Sequence, residues 1–150
     1  MIMSELFRHY AKHMIVLIGF IGLSIGYFSP ILQGKKIFQS DIVQYTGMAK
    51  QHIDYRAAYG SETYWTNSGF GGMPTYQLGA QYPHNYIKAL DLSIRFLPRP
   101  ADYLFLYLLG FYILLLVLGQ DFRVAILGAL AFGFSTYLII ILGVGHNAKA

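Results

Sequence analysis

Residues 124–144 read VAILGALAFGFSTYLIIILGV, about 21 positions without a charged side chain. At 1.5 Å per residue a helix of that length covers about 31 Å, which matches the roughly 30 Å hydrocarbon core of a bilayer. Working backward, the polar break Gly119-Gln120-Asp121-Phe122-Arg123 separates this run from a second, Tyr103 to Leu118. That second run reaches spanning length if Pro100, Ala101 and Asp102 form its first turn. Proline is tolerated at a helix start, and aspartate suits the positive end of the helix dipole. So short a link predicts a tight antiparallel hairpin. A third run lies near the start, from Met14 to Leu32, with Gly19, Gly22, Ser24, Gly26, Ser29 and Pro30 within it. The reading is therefore an all-α integral membrane fold with three transmembrane helices, at about 14–32, 101–118 and 124–144.

Composition agrees with lipid as the solvent. The 150 residues are 55% hydrophobic and only 12% charged, with a mean hydropathy of +0.45, whereas soluble domains carry about a quarter charged residues. The net charge of +4 does not argue for nucleic acid. Its cations Arg8, Lys12, Lys35, Lys36, Arg95 and Arg99 flank apolar runs, where headgroup phosphates or an anionic lipid-linked substrate would meet them. The chain has no cysteine, which excludes disulfides and thiolate metal sites. The basic flank of the first run resembles a signal-peptide start, but no small-x-small cleavage site follows, so an uncleaved helix is expected.

Between the first two runs lies a polar segment of roughly 70 residues, about 33–101. Ile42, Tyr45, Met48, Ala49, Ile53 and Ala57 recur at helical spacing and predict a helix over 41–58. Ile87, Leu90, Ile94 and Leu97 do the same over 85–97, with Lys88, Asp91 and Arg95 on the other face. Both read as amphipathic helices on a membrane surface. Residues 60–83 show no period and read as a loop. With the amino terminus inside, Arg8, Lys12 and Arg123 are cytoplasmic and Lys35, Lys36, Arg95, Arg99 and Lys149 external. That count leans slightly against this orientation, by a rule that weakens for loops longer than about 60 residues.

Three stretches carry candidate chemistry. Gln39-Ser40-Asp41-Ile42-Val43-Gln44-Tyr45 sets a carboxylate close behind the first span, in reach of a lipid-borne substrate. Asp41 also fits the helix cap, with Gln44 completing a capping box. Trp65-Thr66-Asn67-Ser68-Gly69-Phe70-Gly71-Gly72-Met73-Pro74-Thr75-Tyr76 joins glycines, which allow close backbone approach, to rings suited to sugars or the headgroup zone. It lacks the Lys-Ser/Thr ending and strand-to-helix setting of a nucleotide loop. Gly145-His146-Asn147-Ala148-Lys149 closes the set. His52, His84, His146, Asp41, Asp54 and Glu62 are potential metal ligands without a recognised spacing. Arg56, Arg95, Arg99 and Lys149 suit a lipid phosphate or pyrophosphate. No nucleophile elbow or His-Glu-x-x-His motif supports hydrolase chemistry.

These three stretches resemble the opening region of YfhO-type bacterial membrane proteins, assigned to the GT-C class of glycosyltransferases, which are longer and span the membrane many times. The resemblance covers the chain from the first helix onward, and its middle motif is the most specific. It implies that residues 1–150 are the amino-terminal part of a GT-C module in the bacterial cytoplasmic (inner) membrane, amino terminus inside and loop 33–101 outside. It implies a polyprenyl-phosphate-linked sugar as donor and an extracytoplasmic cell-envelope polymer as acceptor, with no nucleic acid. Asp41 matches the early-loop aspartate that serves as catalytic base or metal-associated carboxylate, and a divalent metal is a possible cofactor. Trp65, Asn67, Gly71, Gly72, Tyr76, Arg56, Arg95, His146, Asn147 and Lys149 are the expected substrate-binding residues. Later external loops of that class are absent, so the 150 residues alone are expected not to turn over. Two other readings remain: a non-catalytic membrane protein whose external loop binds a polymer, lipid or partner, and a transporter or flippase component. The latter calls for charges inside spans or broken helices, and neither is expected from these runs.

Overall fold

The computed structural model of the chain describes residues 2–80 and 82–145, with side chains from Tyr10 onward. It is mostly helical, as the all-α reading requires. In chain order the helices are α1 (Ile2–Tyr27), α2 (Ser40–Tyr59), α3 (Tyr86–Ile94), α4 (Ala101–Val117), α5 (Phe122–Gly133) and α6 (Thr136–Val144). A minimal antiparallel hairpin, β1 (Trp65–Thr66) and β2 (Met73–Pro74), lies between α2 and α3, pairing Trp65 with Pro74 and Thr66 with Met73. Short 3-10 turns occupy Ser29–Gln33 and Thr75–Leu78. Contacts divide the described residues into two units, a helical one of residues 2–37 and 95–143, and a loop one of residues 38–80, 82–94 and 144–145.

Within the helical unit, Tyr10–Tyr27 of α1 is long and apolar enough to cross a membrane. The regular helix stops before Leu32. Ser29 precedes Pro30, proline brings no N–H, and the residue before it avoids the α conformation; the chain tightens into the 3-10 turn instead, closed by Gly34. Helix α4 begins at Ala101 with Asp102 in its first turn, as read from the sequence, and is apolar over 17 residues.

The third apolar run departs from expectation. Residues 124–144 were expected to form one unbroken helix; instead α5 and α6 meet at 47°, and only together do they reach spanning length. The break follows Gly133, a poor helix former, at Phe134-Ser135, where the serine hydroxyl can compete for backbone partners. Apolarity alone does not report such a break, because the run stays hydrophobic through it.

Packing of α4 on α5 follows from residue size. Ala125, Ala129 and Gly133 recur every fourth residue and are buried, so the α5 backbone comes close to its neighbour, the habit of helices that associate in lipid. A Cβ on Gly133 would stand 2.7 Å from Leu108 Cδ2, and one on Gly128 would strike Leu115. Early residues of α5 thus meet late residues of α4, the antiparallel hairpin expected. Asp121 caps α5 by accepting the Arg123 N–H at 2.9 Å. Leu104, Phe105, Leu108 and Tyr112 complete the core with Phe20 from α1, whose ring meets Tyr112 edge-on at 5.7 Å.

The loop unit is organised on α2. Asp41 is not its cap: Gln39 is, without a side-chain bond, and Asp41 sits one position inside the first turn. A carboxylate there still favours the positive helix end. Gly60, at φ 69°, ends the helix and returns its N–H to Arg56 O at 2.9 Å. Helix α3 is shorter than the expected 85–97. It starts behind Asn85, whose Oδ1 accepts the Lys88 N–H at 3.0 Å. It stops at Ile94, ahead of two X-Pro steps at Pro98 and Pro100 that disfavour helix. Arg95 therefore leaves the helix and belongs to the helical unit.

A candidate site along helix α2

Polar side chains on successive turns of α2 hold residues 61–82 against the helix. Gln51 is the main clamp. Its Oε1 accepts from the Thr66 hydroxyl at 2.7 Å and from the Asn67 backbone N–H at 2.8 Å. Ser68 Oγ lies 2.7 Å from both Thr66 Oγ1 and Met48 O, and with the Thr66 proton on Gln51 the single Ser68 proton serves one of the two. Thr66 is buried, so these bonds offset the cost of taking its hydroxyl out of water. At the start of the 3-10 turn after β2, the buried Thr75 hydroxyl donates to Thr63 O and meets the Tyr82 hydroxyl.

Next to Gln51 in the chain, His52 is 2% exposed, with Nδ1 3.4 Å from Glu62 Oε2. The other Glu62 oxygen accepts from Arg56 Nη1 at 2.9 Å. Glu62 thus ties the exit of α2 to two of its side chains, and His52 Nε2 is buried with no hydrogen-bond partner among the described residues. From sequence, His52 and Glu62 read only as separate potential metal ligands and Arg56 as a phosphate-binding cation, not as one cluster. Among the described residues no three His, Asp or Glu side chains converge to hold a metal, so the described donors do not frame a divalent cation.

With its base pinned, the hairpin presents rings outward. Trp65 lies over Gly72: a Cβ there would sit 2.7 Å from Trp65 Cζ2 and 2.8 Å from Nε1, and the backbone at Gly72 has φ 118°. Only glycine suits both. Trp65 Nε1 donates to Asn67 Oδ1 at 3.1 Å. Phe70 at the tip adopts φ 53° and is 91% exposed, and Gly71 completes the turn at φ 77°. Tyr76 stands exposed on the 3-10 turn after β2. Trp65, Asn67 and Gly72 therefore form one group, with Gly71 beside it.

Asp41 lies near the start of the same helix, half-buried, with the Ser40 hydroxyl at 3.5 Å from its Oδ1. Gly145 is buried beside it: a Cβ there would meet Ile42 Cγ1 at 2.8 Å and Gln39 Cβ at 2.9 Å, and its φ is 85°. Gly145, the first residue of the third sequence motif, thus packs on the first, about a hundred residues earlier, at the turn that carries Asp41. His146, Asn147 and Lys149, the remaining candidates of that motif, lie outside the described residues. Arg56 is fifteen positions further along α2, about 22 Å at the helical rise, and bonded to Glu62. Arg95 lies in the helical unit, 3.9 Å from Asp102 and 4.1 Å over the Tyr103 ring.

Sequence reading singled out the aromatic, glycine-rich stretch and Asp41, but it read residues 60–83 as a loop rather than a hairpin and missed Gln51, Thr66 and the His52–Glu62 pair. A glutamine inside a helix carries no local mark of a partner fifteen residues away. The chain matches no family model, no curated protein and no solved structure.

Proposed function

We propose that this chain is the amino-terminal part of a YfhO-like, GT-C-type glycosyltransferase in the bacterial cytoplasmic membrane. In this reading α1, α4 and the bent α5–α6 pair are three spans, and residues 33–101 form the extracytoplasmic loop. The enzyme moves a sugar from a polyprenyl-phosphate donor to a cell-envelope polymer. The observation that carries the reading is the seating of Gly145, first residue of the third resembling motif, against Gln39 and Ile42 of the first, the residues that flank Ser40 and Asp41.

The chemistry suits the residues. The acceptor hydroxyl loses a proton as it attacks the anomeric carbon, and the bond to the lipid phosphate breaks. Asp41 is the base that takes the proton, a role usually contributing a factor of about 10² to 10⁴. Trp65, held flat by Gly72 and tethered to Asn67, offers a ring face for a sugar. Its strand is clamped to Gln51 near the middle of α2 through Thr66 and Asn67, while Asp41 sits in the first turn of the same helix. Arg56, engaged with Glu62 at the opposite end of α2, supports the loop's architecture rather than the leaving phosphate.

Membranes carrying the full-length parent test this with a radiolabelled polyprenyl-phosphate sugar. Transfer lost in Asp41→Asn at equal membrane abundance is the expected result. Equal transfer by both, or a graded loss no larger than that of neighbouring loop changes, would favour a non-catalytic binding loop. A transporter or flippase component gains one observation, the 47° break between α5 and α6, since broken helices mark transport sites. Donor-independent substrate flux through the parent would favour that reading.

A further inference from the structure

Two amide side chains of the loop unit have a fixed orientation. Gln51 takes the Asn67 backbone N–H at 2.8 Å, and because a backbone N–H only donates, the atom facing it is the oxygen, Oε1. Asn67 in turn takes the Trp65 indole N–H at 3.1 Å, another group that only donates, which fixes Oδ1 there. Both carbonyl oxygens are committed, so both NH2 groups face away from those donors. Gln51 and Asn67 are exposed, and neither Gln51 Nε2 nor Asn67 Nδ2 has a hydrogen-bond partner among the described residues.

Asn67 links the two amides to the Trp65 ring. Nitrogen and oxygen of one amide are about 2.3 Å apart, which sets Gln51 Nε2 within about 5 Å of Asn67 N and Asn67 Nδ2 within about 5.5 Å of Trp65 Nε1. Gly72 lies against the indole, yet Trp65 stays 53% exposed. Charge is balanced beside Gln51, since Lys50 and Asp54 pair at 2.6 Å. A flat exposed ring with two oriented donors complements a molecule that has an apolar face and uncharged acceptor oxygens. A pyranose is such a molecule, with C–H groups for the indole and hydroxyl oxygens for the amides. A phosphate would meet in Lys50 a cation already paired with Asp54.

We propose that Gln51, Trp65 and Asn67 form a subsite for a neutral pyranose, with Gln51 Nε2 and Asn67 Nδ2 donating to its oxygens. This deepens the reading of Trp65 as a sugar platform and rests on it. Gln51 then has two tasks: its oxygen clamps the hairpin and its nitrogen binds the ligand. Because the oxygens are held before the ligand arrives, little rotamer freedom is lost on binding.

The test is the emission of Trp65, the chain's one tryptophan, in the full chain titrated with methyl glucoside, methyl galactoside and N-acetylglucosamine. The detergent is one without a sugar headgroup. A saturating change with at least one probe is expected. Gln51→Glu and Asn67→Asp keep the clamping oxygen and exchange the NH2 group for an acceptor. Each is expected to leave the emission of the free chain unchanged and to weaken binding about three- to tenfold, the worth of one hydrogen bond. Unchanged affinity in either variant, or a shifted emission of either free variant, overturns the donor assignment and leaves Trp65 as a sugar platform. No response of the unaltered chain to any probe overturns the platform as well. The enzyme reading is judged separately, by sugar transfer in Asp41→Asn.

Discussion

At Gly72 two constraints coincide. The backbone is left-handed and the Trp65 indole leaves no room for a Cβ. Gly72→Ala must therefore either strain the turn, at about 1–3 kcal/mol, or push the indole away. Trp65 is the chain's one tryptophan, so its fluorescence reports the hairpin alone. The substitution is expected to shift its emission and raise iodide quenching, while Gly71→Ala, with open space around it, changes the spectrum less. Identical spectra for Gly72→Ala and the unaltered chain would contradict this packing. The glycines and rings of this motif were legible from sequence because they need only local argument. The Gln51 clamp was not, because it is a bond between distant segments. Asp41 was placed correctly in the helix start but with the wrong local role, since Ser40 already lies in the first turn and the cap falls to Gln39.

Among the elements, small residues divide into those that touch a neighbour and those that do not. Gly133 faces Leu108 and Leu104, whereas Gly22 of α1 has nothing within 4 Å of an added Cβ. Gly133→Ala is expected to destabilise α4–α5 packing by about 1–3 kcal/mol. Gly22→Ala is expected to be neutral or to stabilise by up to about 1 kcal/mol, because alanine holds a helix better than glycine. Denaturation in mild detergent, followed by helical circular dichroism, measures both. Equal effects would argue against the α4–α5 contact. The three apolar runs were legible as helices from composition. What composition missed was continuity: Ser29-Pro30 turned the end of the first run, and Phe134-Ser135 bent the third. In both places local backbone chemistry overrides hydrophobicity.

On the scale of the whole molecule, α1 alone among the described helices meets the length and apolarity needed to cross a membrane by itself. The three-span arrangement adds α4 and the bent pair. Because the chain has no cysteine, single introduced thiols report sidedness cleanly. Ser61→Cys, exposed after α2, is expected to react with an impermeant maleimide in intact right-side-out vesicles. Gln120→Cys, exposed between α4 and α5, is expected to react only after permeabilisation. Reversed labelling would invert the topology, and labelling of both in intact vesicles would remove α4 as a span. Charge counting leaned slightly against this orientation and could not settle it, because cations flank every run on both sides.

The central claim is that Asp41 takes a proton during sugar transfer rather than merely binding substrate. Measuring donor retention and transfer together, in membranes carrying the full-length parent, separates these roles. Asp41→Asn should hold the labelled polyprenyl-phosphate sugar almost as well as the unaltered protein, while transfer falls by about 10² or more. Asp54→Asn, which alters only an exposed pair with Lys50, should leave both unchanged. Loss of donor retention in step with transfer, or a fall in transfer smaller than about tenfold, would contradict the account.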